Sequence, residues 1–103
     1  MTHLDDEFAY AVLEAVKEIP AGKVASYGMI ADLTGYPENS RLVGRVLRNA
    51  EWYGKYPCHR VVNHCGRLAP AFESQRELLE AEGVTFRDGD HVDMKFMWKK
   101  ETE

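Results

Sequence analysis

The sequence predicts a mostly α fold with a short β-hairpin, a winged-helix-like helix-turn-helix, with residues 1–103 forming one domain. Three features predict it. Two short helical segments, SYGMIADLTG and ENSRLVGRVLRNA, are separated by a break at Gly35, Tyr36 and Pro37. The second sets Arg41, Arg45 and Arg48 at i, i+4 and i+7, so three guanidinium groups share one helix face. Two short helices joined tightly, the second of them basic, make the helix-turn-helix pattern. Beyond Pro57 the β-branched run HRVV gives way to a turn, NHCG, before RLA resumes. That is the pattern of a short hairpin, or of a strand with a loop.

The other elements follow in chain order. In DEFAYAVLEAVKEIP, Phe8, Val12, Leu13, Val16 and Ile19 recur at helical spacing and Pro20 stops the run. Ser26 is placed to N-cap the second helix, and Gly35 lies past its end. In the third helix Leu42, Val43, Val46 and Leu47 are expected inward. PAFESQRELLEAEG reads as a fourth helix with Phe72, Leu78 and Leu79 inward and Gly83 as its stop. The tail VTFRDGDHVDMKFMWKK contains an Asp-Gly turn between short alternating runs. Its Phe96, Met97 and Trp98 are expected on the core.

A chain of 103 residues, 45% apolar and 29% charged, has the makeup of a soluble globule with one core. No apolar run reaches membrane-spanning length, and the acidic start MTHLDDEFAY lacks the features of a secretory signal. With two cysteines, a reduced cytoplasmic protein, monomeric and off the membrane, is expected. The net charge of −4 hides an uneven distribution. Residues 41–60 carry Arg41, Arg45, Arg48, Lys55 and Arg60 against Glu51 alone, whereas the first twenty are acidic. Such asymmetry suits one anion-facing surface. Spacing alone does not distinguish that surface from a solvated arginine stripe.

Chemistry concentrates in KYPCHRVVNHCGRL. Cys58, His59, His64 and Cys65 are four ligand types for zinc, but adjacent residues on an extended strand point to opposite faces. Structural zinc sites usually pair ligands two to four residues apart. A reactive cysteine is the other reading. A free thiol with a pKa of about 8.5 is only roughly 3% thiolate at neutral pH, so it needs a base and an orienting carboxylate. His59 and Arg60 adjoin Cys58, and Glu82 lies on the later helix. A buried structural cysteine fits the same spacing.

PCHRVV, with SRLVGRVLRNA and GKVASYGMIADL before it and LLEAEG after it, resembles the DNA-binding, catalytic domain of the O6-alkylguanine-DNA alkyltransferases from about Phe8 to Gly83. The resemblance implies a partner, duplex DNA containing O6-alkylguanine, and no metal or cofactor. It implies that Cys58 accepts the alkyl group irreversibly, His59 takes the thiol proton through a water, and Glu82 orients His59. It implies that Tyr27 crowds the phosphate, helps rotate the nucleotide and protonates the leaving base, while Arg41 fills the gap in the stack. Arg45, Arg48 and Ser26 join the DNA-facing set, and Val61, Pro57 and Asn49 the pocket wall. Extrusion is required because O6 cannot meet a thiol in line inside a duplex. His64 and Cys65 are then incidental turn residues.

The chain also departs from that family. A minimal version, without the usual preceding domain, is expected. Counting back from Cys58 puts the family's loop asparagine at Ala50, with Asn49 one residue early. The glycine-rich lid is replaced by the shorter LAPAFESQ. These features and the tail FMWKK resemble the alkyltransferase-like proteins, which bind and flip O6-alkylguanine and hand it to nucleotide excision repair without transfer. Those relatives usually carry tryptophan or alanine where this chain has Cys58. Two functions are therefore expected to compete: single-turnover alkyl transfer, and non-enzymatic lesion sensing with nucleotide excision repair proteins as partners.

Overall fold

The computed structural model describes residues 3–99; the ends of the 1–103 domain expectation, and Lys100 of the tail motif, lie outside them. Helix α1 covers His3–Lys17, strand β1 Ala25–Ser26, α2 Tyr27–Leu33, α3 Ser40–Arg48, β2 Val61–Val62, α4 Gln75–Ala81, β3 Phe86–Asp88 and β4 His91–Val92. Among the described residues no helix is long and apolar enough to cross a membrane. The mostly helical reading, with a helix-turn-helix at α2–α3, is what the structure has.

Strands β1 and β2 pair in parallel, Ala25 opposite Val61 and Ser26 opposite Val62. Because successive residues on a strand face opposite sides, this small sheet separates two cores. Ala25 and Val61 pack with Val12, Val16 and Ile19 of α1, Ile30 of α2 and Val43 of α3. Val24 and Val62 pack with Leu79, Val84 and Val92 on the other side. The tail closes both. Val24 donates to Phe96 O at 3.0 Å and Trp98 N donates to Val24 O at 2.6 Å. Phe96 and Met97 reach the second core and Trp98 the first.

Several expectations need correction. Of the two expectations for HRVV, a hairpin with RLA or a strand with a loop, the structure has the second: β2 is followed by a turn in which the Asn63 carboxamide oxygen accepts from the N–H groups of Cys65 and Arg67. The hairpin forms further on, β3 against antiparallel β4 across the Asp-Gly turn, and Arg67 bridges to His91 beside it. Leu42, expected inward, is 39% exposed, because on α3 the buried Val43 and half-buried Val46 and Leu47 define the inner stripe. At roughly 100° per residue, Leu42 lies on its flank. Leu78 is likewise 41% exposed, since Gln75 and Leu79, four apart, occupy the inward face of α4.

Candidate functional site

Parallel pairing of β1 with β2 brings the start of α2 beside the turn that precedes β2. The Ser26 hydroxyl accepts from Met29 N at 3.0 Å and caps α2, launching the helix with Tyr27 at its first position. On the neighbouring strand, Cys58–Arg60 form a single 3-10 turn after Pro57. Cys58 is half-buried and lines a cavity of about 1190 Å3. Tyr27, Arg41, Arg48 and Val61 line it too, and Ala69–Phe72 with Gln75 belong to its lining. A methyl group at Gly44 would meet Tyr27 at 3.8 Å, an ordinary contact, so helix packing does not require glycine there.

The two residues after Cys58 enter a closed polar network. His59 Nε2 and Glu82 Oε2 are 2.7 Å apart. An ionised carboxylate only accepts, so Nε2 carries the hydrogen and Nδ1 is the acceptor of the neutral ring. Arg60 donates from Nε to Glu82 Oε1 at 3.0 Å and from Nη2 to Oε2 at 2.8 Å. Its Nη1 donates to Ile19 O at 2.9 Å. Gly22 N donates to Glu82 Oε1 at 3.1 Å from a backbone with φ of +87°, a conformation that favours glycine. Glu82 is the residue that ends α4, where a negative charge opposes the helix dipole. These donors compensate for that position.

Burial alone would raise the Glu82 carboxyl, but hydrogen bonds from Arg60, His59 and Gly22 hold it down at about 2. The charged form is therefore the native one, and its stabilisation is complete above the ordinary value of 4.5 and lost as pH falls towards about 2. Urea midpoints measured across that window are expected to fall steeply with acid in the wild type and less steeply in Glu82→Gln. At Cys58, burial pushes the thiol up to about 11. Tyr27 is also raised, chiefly by burial, with Arg48 opposing and Cys58 adding to the shift. The phenol at the cavity therefore stays protonated at neutral pH.

The predicted site residues divide. Cys58, Tyr27, Arg41, Arg48 and Val61 meet at the cavity, whereas His59 and Glu82 pair with each other and are not among the residues lining it. Arg45 and Asn49 instead line a second groove, on the α1 side of α3, where Asn49 Nδ2 donates to Arg45 O at 3.0 Å. Asn49 as a pocket residue is corrected on that ground: it ends α3, pointing back along its own helix. Pro57 sets the turn and is not among the residues lining the cavity, and Ser26 spends its hydroxyl on the cap. The Cys-His run does not converge as a ligand set, since His59 turns to Glu82 while His64 and Cys65 are exposed. Two residues escaped sequence reasoning. Arg60 was only an adjacent charge there, and Gln75, fully buried, had no local signal beyond its spacing from Leu79.

Residues 7–84 match the family described as 6-O-methylguanine DNA methyltransferase, DNA binding domain. The chain belongs to that family. It is 37% identical over 98 residues to a DNA base-flipping protein of Escherichia coli, covering 91% of this chain and 76% of that one. It is 36% identical over 104 residues to alkyltransferase-like protein 1 of Schizosaccharomyces pombe, covering 91% and 96%. A methylated-DNA–protein-cysteine methyltransferase of Methanosarcina acetivorans is 39% identical over 80 residues, 75% of this chain but 51% of that one. The S. pombe alkyltransferase-like protein, solved with damaged DNA containing O6-carboxymethylguanine, superposes with a TM-score of 0.83 at 34% identity over 92% of this chain and 97% of that one. The Mycobacterium tuberculosis O6-methylguanine methyltransferase superposes at 0.55 and 33% identity, over 80% of this chain and 49% of that one.

Proposed function

We propose that this is a DNA repair protein that binds duplex DNA, turns an O6-alkylguanine out into the Cys58 cavity and transfers the alkyl group to Cys58 once per molecule. The observation that carries this reading is Cys58 lining the cavity and followed in the chain by His59, whose Nε2 pairs with Glu82 Oε2 at 2.7 Å. With the thiol at about 11, only about one molecule in 10⁴ holds a thiolate at pH 7. Base assistance is therefore essential. His59 Nδ1 takes the thiol proton through a water, and Glu82 stabilises the resulting imidazolium. The sulfur then attacks the alkyl carbon; the S–C bond forms as the C–O6 bond breaks and its electron pair stays on the guanine. The Tyr27 phenol supplies a proton to that base and recovers one from His59, leaving guanine neutral and Cys58 a thioether. Arg41 fills the vacated stack and Arg48 meets phosphate, so the basic segment serves an acidic protein as its DNA face.

A second reading, lesion sensing without transfer and with nucleotide excision repair proteins as partners, is favoured by two observations. Burial holds the thiol protonated, and among the described residues no hydrogen bond joins His59 to Cys58 Sγ. Replacement of the acceptor separates the two readings. Cys58→Ala is expected to abolish transfer from an O6-methylguanine duplex while lesion binding, read by fluorescence anisotropy, stays within about threefold, since only a small apolar contact is removed. If the same variant repaired alkylated DNA in cells as well as the wild type, transfer would not be its function.

A further inference from the structure

We propose that Gln75 is a positioning residue that ties the two walls of the Cys58 cavity together and so sets its preference for an alkylated base over guanine. This rests on the reading that the cavity receives a base turned out of duplex DNA. Gln75 is 0% exposed at the start of α4. Its Oε1 accepts from Ala69 N at 2.7 Å, and its Nε2 donates to His59 O at 3.0 Å and Val61 O at 2.9 Å. Ala69 belongs to the segment that lines the cavity with Pro70, Ala71 and Phe72, while His59 lies within the turn that begins at Cys58 and Val61 follows it. Among the described residues no backbone hydrogen bond joins 58–61 to 69–72. One side chain makes that connection.

Core packing does not ask for an amide here. A hydrocarbon of similar size beside Leu79 would avoid desolvating a polar group, and an amide is tolerated at such depth only when bonded. Both hydrogens and the oxygen of this one are used on backbone groups of the two walls. Without them one buried and two part-buried backbone groups lose a partner, and the wall at 69–72 is free to move away from the acceptor turn. A flipped base would then be gripped less closely. Affinity for undamaged duplex, carried by arginines on α3, would be untouched.

The test compares wild type and Gln75→Met on two duplexes that differ only in one O6-methylguanine for guanine. Methionine keeps the volume and removes the amide. The lesion-to-guanine affinity ratio is expected to fall about tenfold in the variant, the loss of a hydrogen bond or two, with affinity for undamaged duplex unchanged. An unchanged ratio in a folded Gln75→Met protein overturns the inference. A wild type that does not discriminate at all instead overturns the base-receiving reading beneath it. Should Gln75→Met not fold, Gln75→Glu, which keeps the acceptor and loses both donors, reads the same ratio. Amide exchange at Ala69 in the wild type needs no variant: slow exchange is expected, and exchange at the rate of a free loop contradicts the tie.

Discussion

Glu82→Ala is expected to lower alkyl transfer about a hundredfold, within the range positioned proton transfer contributes, and to destabilise the fold by about 3 kcal/mol, as breaking a buried pair does. Two effects arise from one carboxylate because it has three clients. Arg60, with its side chain 17% exposed, keeps only the Ile19 carbonyl once Glu82 is gone. Gly22 N–H loses its acceptor, and the turn between α1 and β1 loses its tie to the end of α4. His59 loses the group that fixes its tautomer and holds its Nε2 side, so the thiol at about 11 has no prepared base. Glu82→Gln separates the effects, because a carboxamide oxygen still accepts from His59 but brings no charge. It is expected to recover part of the stability and little of the transfer. Single-turnover kinetics and urea unfolding on the same preparations check both arms.

Arg41→Ala is expected to weaken binding to an O6-methylguanine duplex about 10- to 100-fold, because extrusion then leaves an unfilled gap whose unstacking costs a few kcal/mol. Binding to undamaged duplex should fall only as much as one phosphate contact allows. Arg48→Ala is the control. It also borders the cavity, but as a phosphate contact it should weaken both duplexes alike and make binding less salt-dependent. Fluorescence of 2-aminopurine at the lesion position reports extrusion directly, and it should drop for Arg41→Ala and persist for Arg48→Ala. Equal losses on both duplexes for Arg41→Ala would remove it from the extrusion step.

The features legible in the chain were those written locally. Ser26 reads as a cap because a hydroxyl three residues ahead of Met29 N can satisfy it, and the structure has that bond. The periodicity of Val12, Val16 and Ile19 shows α1, and the Asp-Gly pair marks the β3–β4 hairpin. What escaped was carried by long-range pairing. Strands β1 and β2 are two residues each, too short for any alternation, so nothing in HRVV announced a parallel partner thirty-six positions earlier. Arg60 and Glu82 stand 22 residues apart and meet only because α4 packs beside the Cys58–Arg60 turn. Gln75 reads as a surface residue in any helical pattern, and its burial follows from backbone groups of two distant segments. Leu42 and Leu78 were misjudged for one reason: on short helices a single flanking leucine lies as near the stripe's edge as its centre. Arg41, Arg45 and Arg48 do share a face, but that face divides between two grooves, which angular spacing cannot show.

The most direct measurement is the intact mass of the Cys58-containing peptide after the protein has been held with an O6-methylguanine duplex. Transfer predicts a gain of one methylene on that peptide, none on the peptide carrying Cys65, and an equal amount of guanine restored in the DNA. An unmodified Cys58 peptide from protein that binds the lesion selectively would contradict transfer and leave lesion sensing as the function.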